Sequence, residues 1–427
     1  MRKINIAIIG LGNIGSYLYN YLKDNKKILA EKNNCLPVVK YVSAKNRNKK
    51  RNFKIHKSQW LNDFMLSTKI KDVDLIIELI GGAEGPAKKL VFNALKNKKH
   101  VVTANKALIA KYGDKLSKIA EKNKVNLEFE ASVCGGVPII RSLKEGLIGN
   151  KISKIYGIFN GTSNYILSSM DKQNKDFNEV LTDAQKLGYA ESNPSADLNG
   201  DDVSSKLKIL SSLCFNSFLN NNIYVEGIKN IDKTDIDNAN NLGYKIKLLG
   251  FAELINNNIY QRVHPTLIKK DSYVASIDGV LNAVIIDGKP VGQSIIQGEG
   301  AGASATTSAL VSDISSILRG NIKFPFSISN KKRKKLKFEN INDRYFSAYL
   351  RFEVEDKPGV LSNITNIFSK NKVSIKRLVQ HPQKKRKSSS IIIITHRSKD
   401  KFLNKILKEI DKKTYVKRKS KLIRIDE

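Results

Sequence analysis

The stretch AESNPSADLNGDDVSSK (190–206) concentrates groups that can bind a cation or move a proton. It holds four acids and ends in one base: Glu191, Asp197, Asp201, Asp202 and Lys206. Asp202 and Lys206 share one face of any helix that contains both, because residues four apart in sequence are neighbours there. They form either a surface ion pair, worth roughly a few tenths of a kcal/mol, or an acid–base site. Pro194 and Gly200 predict a surface loop before that helix, where acids are often only solvated, so spacing alone leaves both interpretations open.

A glycine turn follows the first apolar segment, Ile4–Ile9. In the order strand, G-x-G-x-x-G and helix, backbone N–H groups and the helix N-terminus can approach a pyrophosphate. We therefore predict a dinucleotide site here, although glycine turns also occur for packing alone. Its candidate residues are Gly10, Gly12, Asn13, Ile14 and Gly15.

The end of the second expected strand, Leu36–Val42, bears on the choice of cofactor. An NAD site would place an acid there to hold the ribose 2′-hydroxyl. The sequence VSAKNRNKKR (42–51) supplies bases instead, and Ser43, Lys45 and Arg47 could accept a 2′-phosphate. The alternative is a solvated basic loop, which this chain forms in many places. We favour NADP over NAD.

These residues need an α/β framework. Strands alternate with helices through segments 73–82, 99–113 and 125–132, which predicts a mainly parallel sheet covered on both faces. Longer mixed elements follow: a strand at 152–159, a helix from about Val203, and a glycine-rich loop near 297 that feeds another helix. The predicted parts are an N-terminal Rossmann-type nucleotide-binding domain (1–130), an α/β catalytic and dimerisation domain (131–320), a polar linker (320–342) and a C-terminal unit (345–427). The order of elements in the last unit, βαββαβ, is ferredoxin-like.

Composition limits the classes of function. The 427 residues carry a net charge of +35, which can indicate nucleic-acid binding. However, the bases are spread along the whole chain, and the dense clusters at 45–51, 331–337 and 384–387 carry no RNA-binding aromatic signature. We expect no specific nucleic-acid partner. No apolar run is long enough for a bilayer, and three separated cysteines fit a reducing cytoplasm.

Several motifs together resemble the homoserine dehydrogenase family. AQKLGYAESNPSADLNGDDVSSK (184–206) matches the long signature of that family at each fixed position. Other matching motifs are GLGNIG, VVTANKALIA, FEASVCGGVPII, NGTSNYI, LGYKIKLLG and GEGAG. The resemblance spans about 1–320, and the tail resembles an ACT domain. It implies a monofunctional enzyme that reversibly reduces L-aspartate 4-semialdehyde to L-homoserine with NAD(P)H.

The resemblance also implies roles for the acid run. Glu191 and Asp197 would receive the substrate ammonium group, and Asp202 would orient Lys206. Lys206 would donate a proton to the developing alkoxide and accept it in reverse. Lys106, which follows a strand end in the motif VVTANKALIA, is a second candidate for the proton transfer. The resemblance further implies that Thr103, Lys106 and Gly302 contact the cofactor. It also implies that Tyr189 and Thr162 line the substrate pocket. Ala305 stands where family members commonly have proline. The family therefore does not predict the shape of the second glycine turn, GEGAG (298–302).

The segment FEASVCGGVPI implies a sodium site in this family. One carboxylate and nearby backbone carbonyls would bind the ion, a donor set that suits a hard cation. The matching positions are Glu130, Val133, Gly135 and Val137. The rival interpretation is Cys134 as a nucleophile, but no histidine in a suggestive context supports it.

The ACT-like turn EVEDKPGVLSNI offers Asp356, Gly359 and Asn363 as candidates for binding an amino-acid effector at a subunit interface. The equally weighted alternative is a purely structural dimerisation unit. Threonine is the obvious effector from pathway logic alone, and we expect a homodimer or homotetramer. A regulatory protein that kept an inactive enzyme body is a further hypothesis, against which the intact set of acids and lysine argues.

Overall fold

The computed structural model describes residues 1–51, 53–383 and 388–426, so the basic segment 384–387 lies outside the described residues. Its first sheet has five parallel strands in the order β2-β1-β3-β4-β5. The strands are β1 (Arg2–Ile9), β2 (Cys35–Ser43), β3 (Leu75–Glu78), β4 (His100–Thr103) and β5 (Leu127–Glu128). The helices are α1 (Asn13–Asp24), α2 (Lys26–Asn33), α3 (Pro86–Lys96) and α4 (Lys106–Asn123). Because β2 and β3 flank β1, the first glycine turn opens at the point where the strand order reverses, which is where such sheets bind ligands.

The middle of the chain builds a mainly antiparallel sheet with helices packed against it. Its strands are β6 (Lys151–Ile158), β7 (Tyr224–Val225), β8 (Tyr244–Ile255), β9 (Asn258–Lys269), β10 (Leu281–Lys289) and β11 (Gly292–Glu299). Among the strands named here, only the short strand β7 pairs in parallel, with β9. Its helices are α5 (Ile139–Arg141), α6 (Gly161–Gln173), α7 (Phe177–Lys186), α8 (Ser195–Asn199), α9 (Asp201–Cys214), α10 (Lys233–Asn241) and α11 (Ala303–Leu318). The last of these, α11, returns to the first sheet, where Leu310 and Ile314 share a buried core with Ile6 and Ile8 of β1.

The C-terminal unit has the predicted ferredoxin-like order. Its elements are β13 (Tyr345–Glu355), α12 (Val360–Lys370), β14 (Ile375–Gln383), β15 (Ser388–Thr395), α13 (Asp400–Ile410) and β17 (Val416–Asp426). Two short strands, β12 (Lys337–Phe338) and β16 (Ser398–Lys399), accompany them. The alternation of apolar residues in β13 buries one face against α12 and α13. The mixed α/β fold class is therefore confirmed.

The C-terminal unit is joined to the middle of the chain by a shared sheet and not by a linker alone. The strand β17 pairs in parallel with β9, with Arg424 opposite Thr266, so one sheet runs β11-β10-β6-β8-β9-β17-β13-β15-β14. The segment 320–342 is partly packed: Arg333 is buried and its Nη2 lies 2.7 Å from Asp114 Oδ1. None of the described helices combines the length and apolar character that crossing a bilayer requires.

Candidate active site

From Ser195 onward the acid run folds as a five-residue helix followed directly by a 14-residue helix, and not as a loop and a helix. Asp197 lies inside α8, and α9 begins at Asp201, two residues before the predicted start. Gly200 joins the helices with φ of 87°, a left-handed conformation that favours glycine. The periodicity of α9 then turns Asp202 and Lys206 inward, where both are buried.

Lys206 is held by two acceptors. Its Nζ donates to the backbone carbonyl of Phe159 at 2.6 Å and lies 2.8 Å from Asp202 Oδ2. Phe159 directly follows β6, so the end of a strand and a face of a helix converge on one ammonium group. An ammonium group has three N–H donors, and these contacts engage two of them.

Asp202 binds a second lysine from the other side of the cleft. Lys106, the first residue of α4, places its Nζ 2.7 Å from Asp202 Oδ1. Its side chain is 45% exposed, whereas that of Lys206 is 9% exposed. The structure thus brings both candidate lysines to one carboxylate, and they differ in their access to solvent.

Burial and charge act in opposite directions on this cluster. Burial would raise the pKa of Asp202, but the charges of Lys206 and Lys106 outweigh it and lower that pKa well below its usual range. Burial would likewise lower the pKa of Lys206, but the Asp202 carboxylate outweighs it and raises that pKa. Asp202 is therefore a carboxylate and Lys206 a cation at neutral pH, and the cluster holds a protonated donor.

Asp197 also belongs to this cluster. Asn160 Nδ2 donates to Asp197 Oδ1 at 2.7 Å and to Asp202 Oδ2 at 2.9 Å. Burial first, and then the charge of Asp202, raise the pKa of Asp197. A cationic partner stabilises the ionised form of a carboxyl group whose pKa is raised in this way. An ammonium-binding site is expected to have this property. Sequence spacing gave no signal for Asn160, because its contacts lie far along the chain.

The other predicted substrate residues are Thr162, Tyr189 and Glu191. Thr162 Oγ1 donates to the carbonyl oxygen of Tyr189 at 2.6 Å, which ties the start of α6 to the end of the α7 segment. The ring of Tyr189 packs at 5.0 Å from that of Tyr165. The Glu191 side chain is exposed, and none of the contacts within the described residues joins its carboxylate to Asp197 or Asp202.

In the first glycine turn, backbone segments approach each other too closely for a side chain at Gly10 or Gly15. A Cβ on Gly10 would lie 2.5 Å from Leu79 O, and one on Gly15 would lie 2.0 Å from Gly10 O. Gly12 instead faces open space at the N-cap of α1. The backbone N–H groups that follow, at Asn13 and Ile14, belong to the first turn of α1, where a pyrophosphate is favoured.

A buried hydrogen-bond network lies behind this turn, and no sequence motif had indicated it. Glu78, at the end of β3, accepts hydrogen bonds from Thr103 Oγ1 at 2.6 Å and from the N–H groups of Ile80 and Gly81. Thr103 therefore contributes to the architecture of the site. Asn105 caps α4 by accepting from Leu108 N at 3.0 Å, which sets the position of Lys106. An acid ending an apolar strand is the signal that would have identified Glu78.

Comparison with known proteins decides the family. Residues 138–315 match the homoserine dehydrogenase family, 10–130 match its NAD-binding domain, and 348–413 match the ACT domain. A homoserine dehydrogenase from Neisseria gonorrhoeae is 37% identical over 438 residues, covering 100% of this chain and 99% of that protein. One from Bacillus subtilis is 35% identical, covering 96% of this chain and 95% of that protein. The crystal structure of a homoserine dehydrogenase from Thiobacillus denitrificans superposes with a TM-score of 0.93 at 35% identity, covering 100% of this chain and 99% of that one.

The chain belongs to the homoserine dehydrogenase family. It is an NAD(P)-dependent oxidoreductase that reversibly converts L-aspartate 4-semialdehyde to L-homoserine in the biosynthesis of threonine, methionine and isoleucine. The ACT match confirms the resemblance seen in the tail.

Within this homoserine dehydrogenase, Cys134 has the environment of an inert thiol. It is fully buried, and burial raises its pKa to about 11, although the charge of Lys206 acts in the opposite direction. A catalytic cysteine needs a lowered pKa and access to substrate. The geometry therefore disfavours the nucleophile hypothesis and leaves Cys134 as part of the wall beneath Lys206.

Proposed function

We propose that Lys206 is the proton-transfer residue of this enzyme. A bound nicotinamide would supply the hydride for the aldehyde carbon during reduction, and Lys206 would donate a proton to the aldehyde oxygen, which becomes the hydroxyl of homoserine. In reverse, Lys206 accepts that proton. The single observation that carries this role is the Lys206 ammonium itself, which is buried against Asp202 and Phe159 O and retains one N–H for a substrate oxygen.

We propose that Asp197 and Glu191 receive the substrate ammonium group and that Tyr189 and Thr162 line the pocket. The raised pKa of Asp197 supports this role, because an ammonium group would restore its preference for the ionised form. Lys106 is proposed to contact both cofactor and substrate from the solvent side of Asp202. Its exposure favours binding over proton transfer.

We propose NADP as the preferred cofactor, bound at the first glycine turn with Thr103, Lys106 and Gly302 on its nicotinamide side. Support for the 2′-phosphate comes from the basic loop after β2. The guanidinium groups of Arg47 and Arg51 lie 5.5 and 5.3 Å from the centre of the Trp60 ring, which holds that loop together. Gly302 faces open space at the N-cap of α11, as a residue that approaches a cofactor should.

We propose a sodium site at Glu130 with the carbonyls of Val133, Gly135 and Val137. Glu130 is buried, and its two oxygens accept from Ile140 N at 2.8 Å and Arg141 N at 2.6 Å, which leaves lone pairs for a cation. Burial raises its pKa to about 7, so a cation would favour the ionised form. Within the described residues no cluster of three acidic, histidine or cysteine side chains could bind a metal, so carbonyls are required. A bound sodium ion would fix this loop against the second glycine turn, where Gly136 N donates to Glu299 O.

We propose that the ACT domain binds an amino-acid effector at the turn between β13 and α12. A cavity of about 360 Å³ opens there, and Asp356 and Gly359 line it together with Gln380 and Ile391. Asn363 lies one turn further along α12 and is not among its described lining residues. The Asp356 carboxylate and the Gln380 amide beside the apolar side chain of Ile391 suit a small zwitterion.

The remaining assignments are proposals of the same kind. The domain division 1–130, 131–320 and 345–427 is supported by the separate first sheet and by the ferredoxin-like order of the C-terminal elements, while β17 pairs with β9 and α11 packs back onto the first sheet. A homodimer or homotetramer in the cytoplasm is the proposed working form.

The decisive experiment measures homoserine-dependent reduction of NADP and of NAD at alkaline pH, with the wild type beside Lys206→Ala. Activity that is lost in the variant while cofactor binding persists supports the role of Lys206. Equal turnover in the two proteins would overturn that role. Higher catalytic efficiency with NAD than with NADP would overturn the cofactor proposal.

A further inference from the structure

Asn160 lies between the two carboxylates of the substrate site and is 4% exposed. We propose that it is a positioning residue, whose amide sets the separation and orientation of Asp197 and Asp202. The inference rests on the roles proposed above for those two carboxylates. Asn160 acts through them and contacts no reacting atom.

The hydrogen bonds of the Asn160 side chain account for both of its polar atoms. Its Oδ1 accepts from Ser163 N at 2.7 Å, as the N-cap of α6. Its Nδ2 donates to Asp197 Oδ1 at 2.7 Å and to Asp202 Oδ2 at 2.9 Å. The backbone N–H of Ser163 can only donate, so the amide oxygen must face it. The start of α6 thereby fixes the amide with both N–H groups toward the carboxylates.

An amide suits this place better than a cation would. Two nearby carboxylates repel each other, and burial and the charge of Asp202 already raise the pKa of Asp197. A lysine or arginine would reduce the repulsion, but its charge would compete with the substrate ammonium. An amide supplies two donors without a charge, so it holds both carboxylates and leaves Asp197 free to prefer an incoming cation.

The position of Asn160 in the chain links it to the proton donor. It directly follows Phe159, whose carbonyl accepts from Lys206. One strand end therefore holds Lys206 through Phe159 and the two carboxylates through Asn160. Asp202 has three cationic or donor neighbours: Lys206 by an ion pair and Asn160 by a hydrogen bond at Oδ2, and Lys106 by an ion pair at Oδ1.

The competing explanation is that Asn160 only caps α6, and two substitutions separate these roles. Serine and aspartate cap helices about as well as asparagine. Asn160→Ser removes both amide donors and leaves only a hydroxyl on a shorter side chain, and Asn160→Asp replaces the donors with a third negative charge. We expect Asn160→Ser to raise the KM for homoserine and to lower kcat/KM about 10- to 100-fold. Asn160→Asp should lower it further.

The pH dependence of kcat/KM distinguishes positioning from a loss of packing. Both variants should move the acidic limb to higher pH, because removing a donor or adding a like charge raises the pKa of a carboxylate. Asp63→Ser changes a cap at the 64–68 turn of the nucleotide-binding half and should leave the KM for homoserine and the pH profile as in the wild type. If both Asn160 variants keep the wild-type KM and pH profile, the residue is only a cap.

A double-mutant cycle guards against variants that lose stability. Asp197→Asn is measured alone and combined with Asn160→Ser, with thermal unfolding and NADP binding recorded for every protein. Positioning through Asp197 predicts that the second substitution costs much less in the presence of the first. Fully additive losses overturn the inference. Wild-type kinetics in Asp197→Asn alone would instead overturn the proposed role of Asp197, so the two failures are distinguishable.

Discussion

The Asp202 carboxylate and the Lys206 ammonium group, one turn apart on α9, form a 2.8 Å ion pair whose side chains are 3% and 9% exposed. The same spacing on a helix surface would contribute little to stability or chemistry. Burial removes both charges from water, so each charged form is stabilised mainly by its partner. This dependence gives the first two predictions.

Replacing Lys206 should abolish the chemistry without removing the cofactor. Lys206→Ala is expected to lower kcat about 10²- to 10⁴-fold, the usual contribution of a positioned proton donor. NADP titration by fluorescence should give a binding constant near that of the wild type, because the glycine turn is untouched. A variant that keeps more than about a tenth of the wild-type kcat would contradict this role.

Asp202→Asn tests the electrostatic control of Lys206. Burial lowers the pKa of Lys206 and the Asp202 charge raises it, so removing that charge leaves burial less opposed and the pKa falls. In homoserine oxidation Lys206 must accept a proton, so the rate should rise at a lower pH in the variant. We expect a shift of about one to three pH units in the profile of kcat. An unchanged profile would show that the titrating group lies elsewhere.

Lys106 should behave differently from Lys206. Its exposed ammonium group contacts only the outer oxygen of Asp202 among the contacts described for its side chain. Lys106→Met is expected to lower kcat/KM about 10-fold, as for the loss of one charged hydrogen bond, mainly through KM. Steady-state kinetics of both single variants make the comparison. A larger loss of kcat in Lys106→Met than in Lys206→Ala would reverse the assignment.

Sequence patterns recovered the local parts of this architecture. The strand–glycine turn–helix order predicted the nucleotide-binding half, and the i, i+4 spacing correctly put Asp202 and Lys206 on one helical face. Alternating apolar residues predicted the βαββαβ tail. These features are set by periodicity within a few residues, which a single sequence displays directly.

Those patterns could not predict contacts between segments that are distant in the sequence. Asn160 reaches Asp197 across 37 residues and Asp202 across 42, and no periodicity encodes such a meeting. The parallel pairing of β17 with β9 is equally non-local, so no pattern indicated that the tail shares a sheet with the middle of the chain. Asp197 was expected in a surface loop because Pro194 and Gly200 suggested one, but Pro194 instead precedes the first turn of α8, a place that proline tolerates.

The basic loop after β2 should set the preference for NADP. Substituting Lys45 and Arg47 together by alanine is expected to lower kcat/KM for NADP about 10-fold or more while leaving that for NAD nearly unchanged. Lys71→Ala, on a lysine-rich surface away from the cofactor turn, is a matched control for lost charge. An equal loss with both cofactors would show that the loop contributes only general attraction.

Arg424 offers a test of the continuous sheet. Its guanidinium lies on β17 and forms a pair with Asp400, the Nε–Oδ1 distance being 2.7 Å and both side chains at most 2% exposed; Nη1 also reaches Glu226 Oε2 at 3.1 Å. Removing one partner of a buried pair leaves an uncompensated charge, so Arg424→Met should reduce the free energy of unfolding by about 3–5 kcal/mol. Lys419→Met, at an exposed position of the same strand, should change it by less than about 0.5 kcal/mol. Urea unfolding followed by circular dichroism measures both.

The same substitution should also affect the substrate site, because Glu226 continues into a segment that contacts α8. Ile228 N donates to Leu198 O at 2.9 Å, one residue beyond Asp197. Loosening Glu226 in Arg424→Met should therefore raise the KM for homoserine at temperatures where the variant is fully folded, whereas the KM for NADP should stay constant. A variant that loses stability but keeps both KM values would show that the tail contributes to the fold alone, without reaching Asp197.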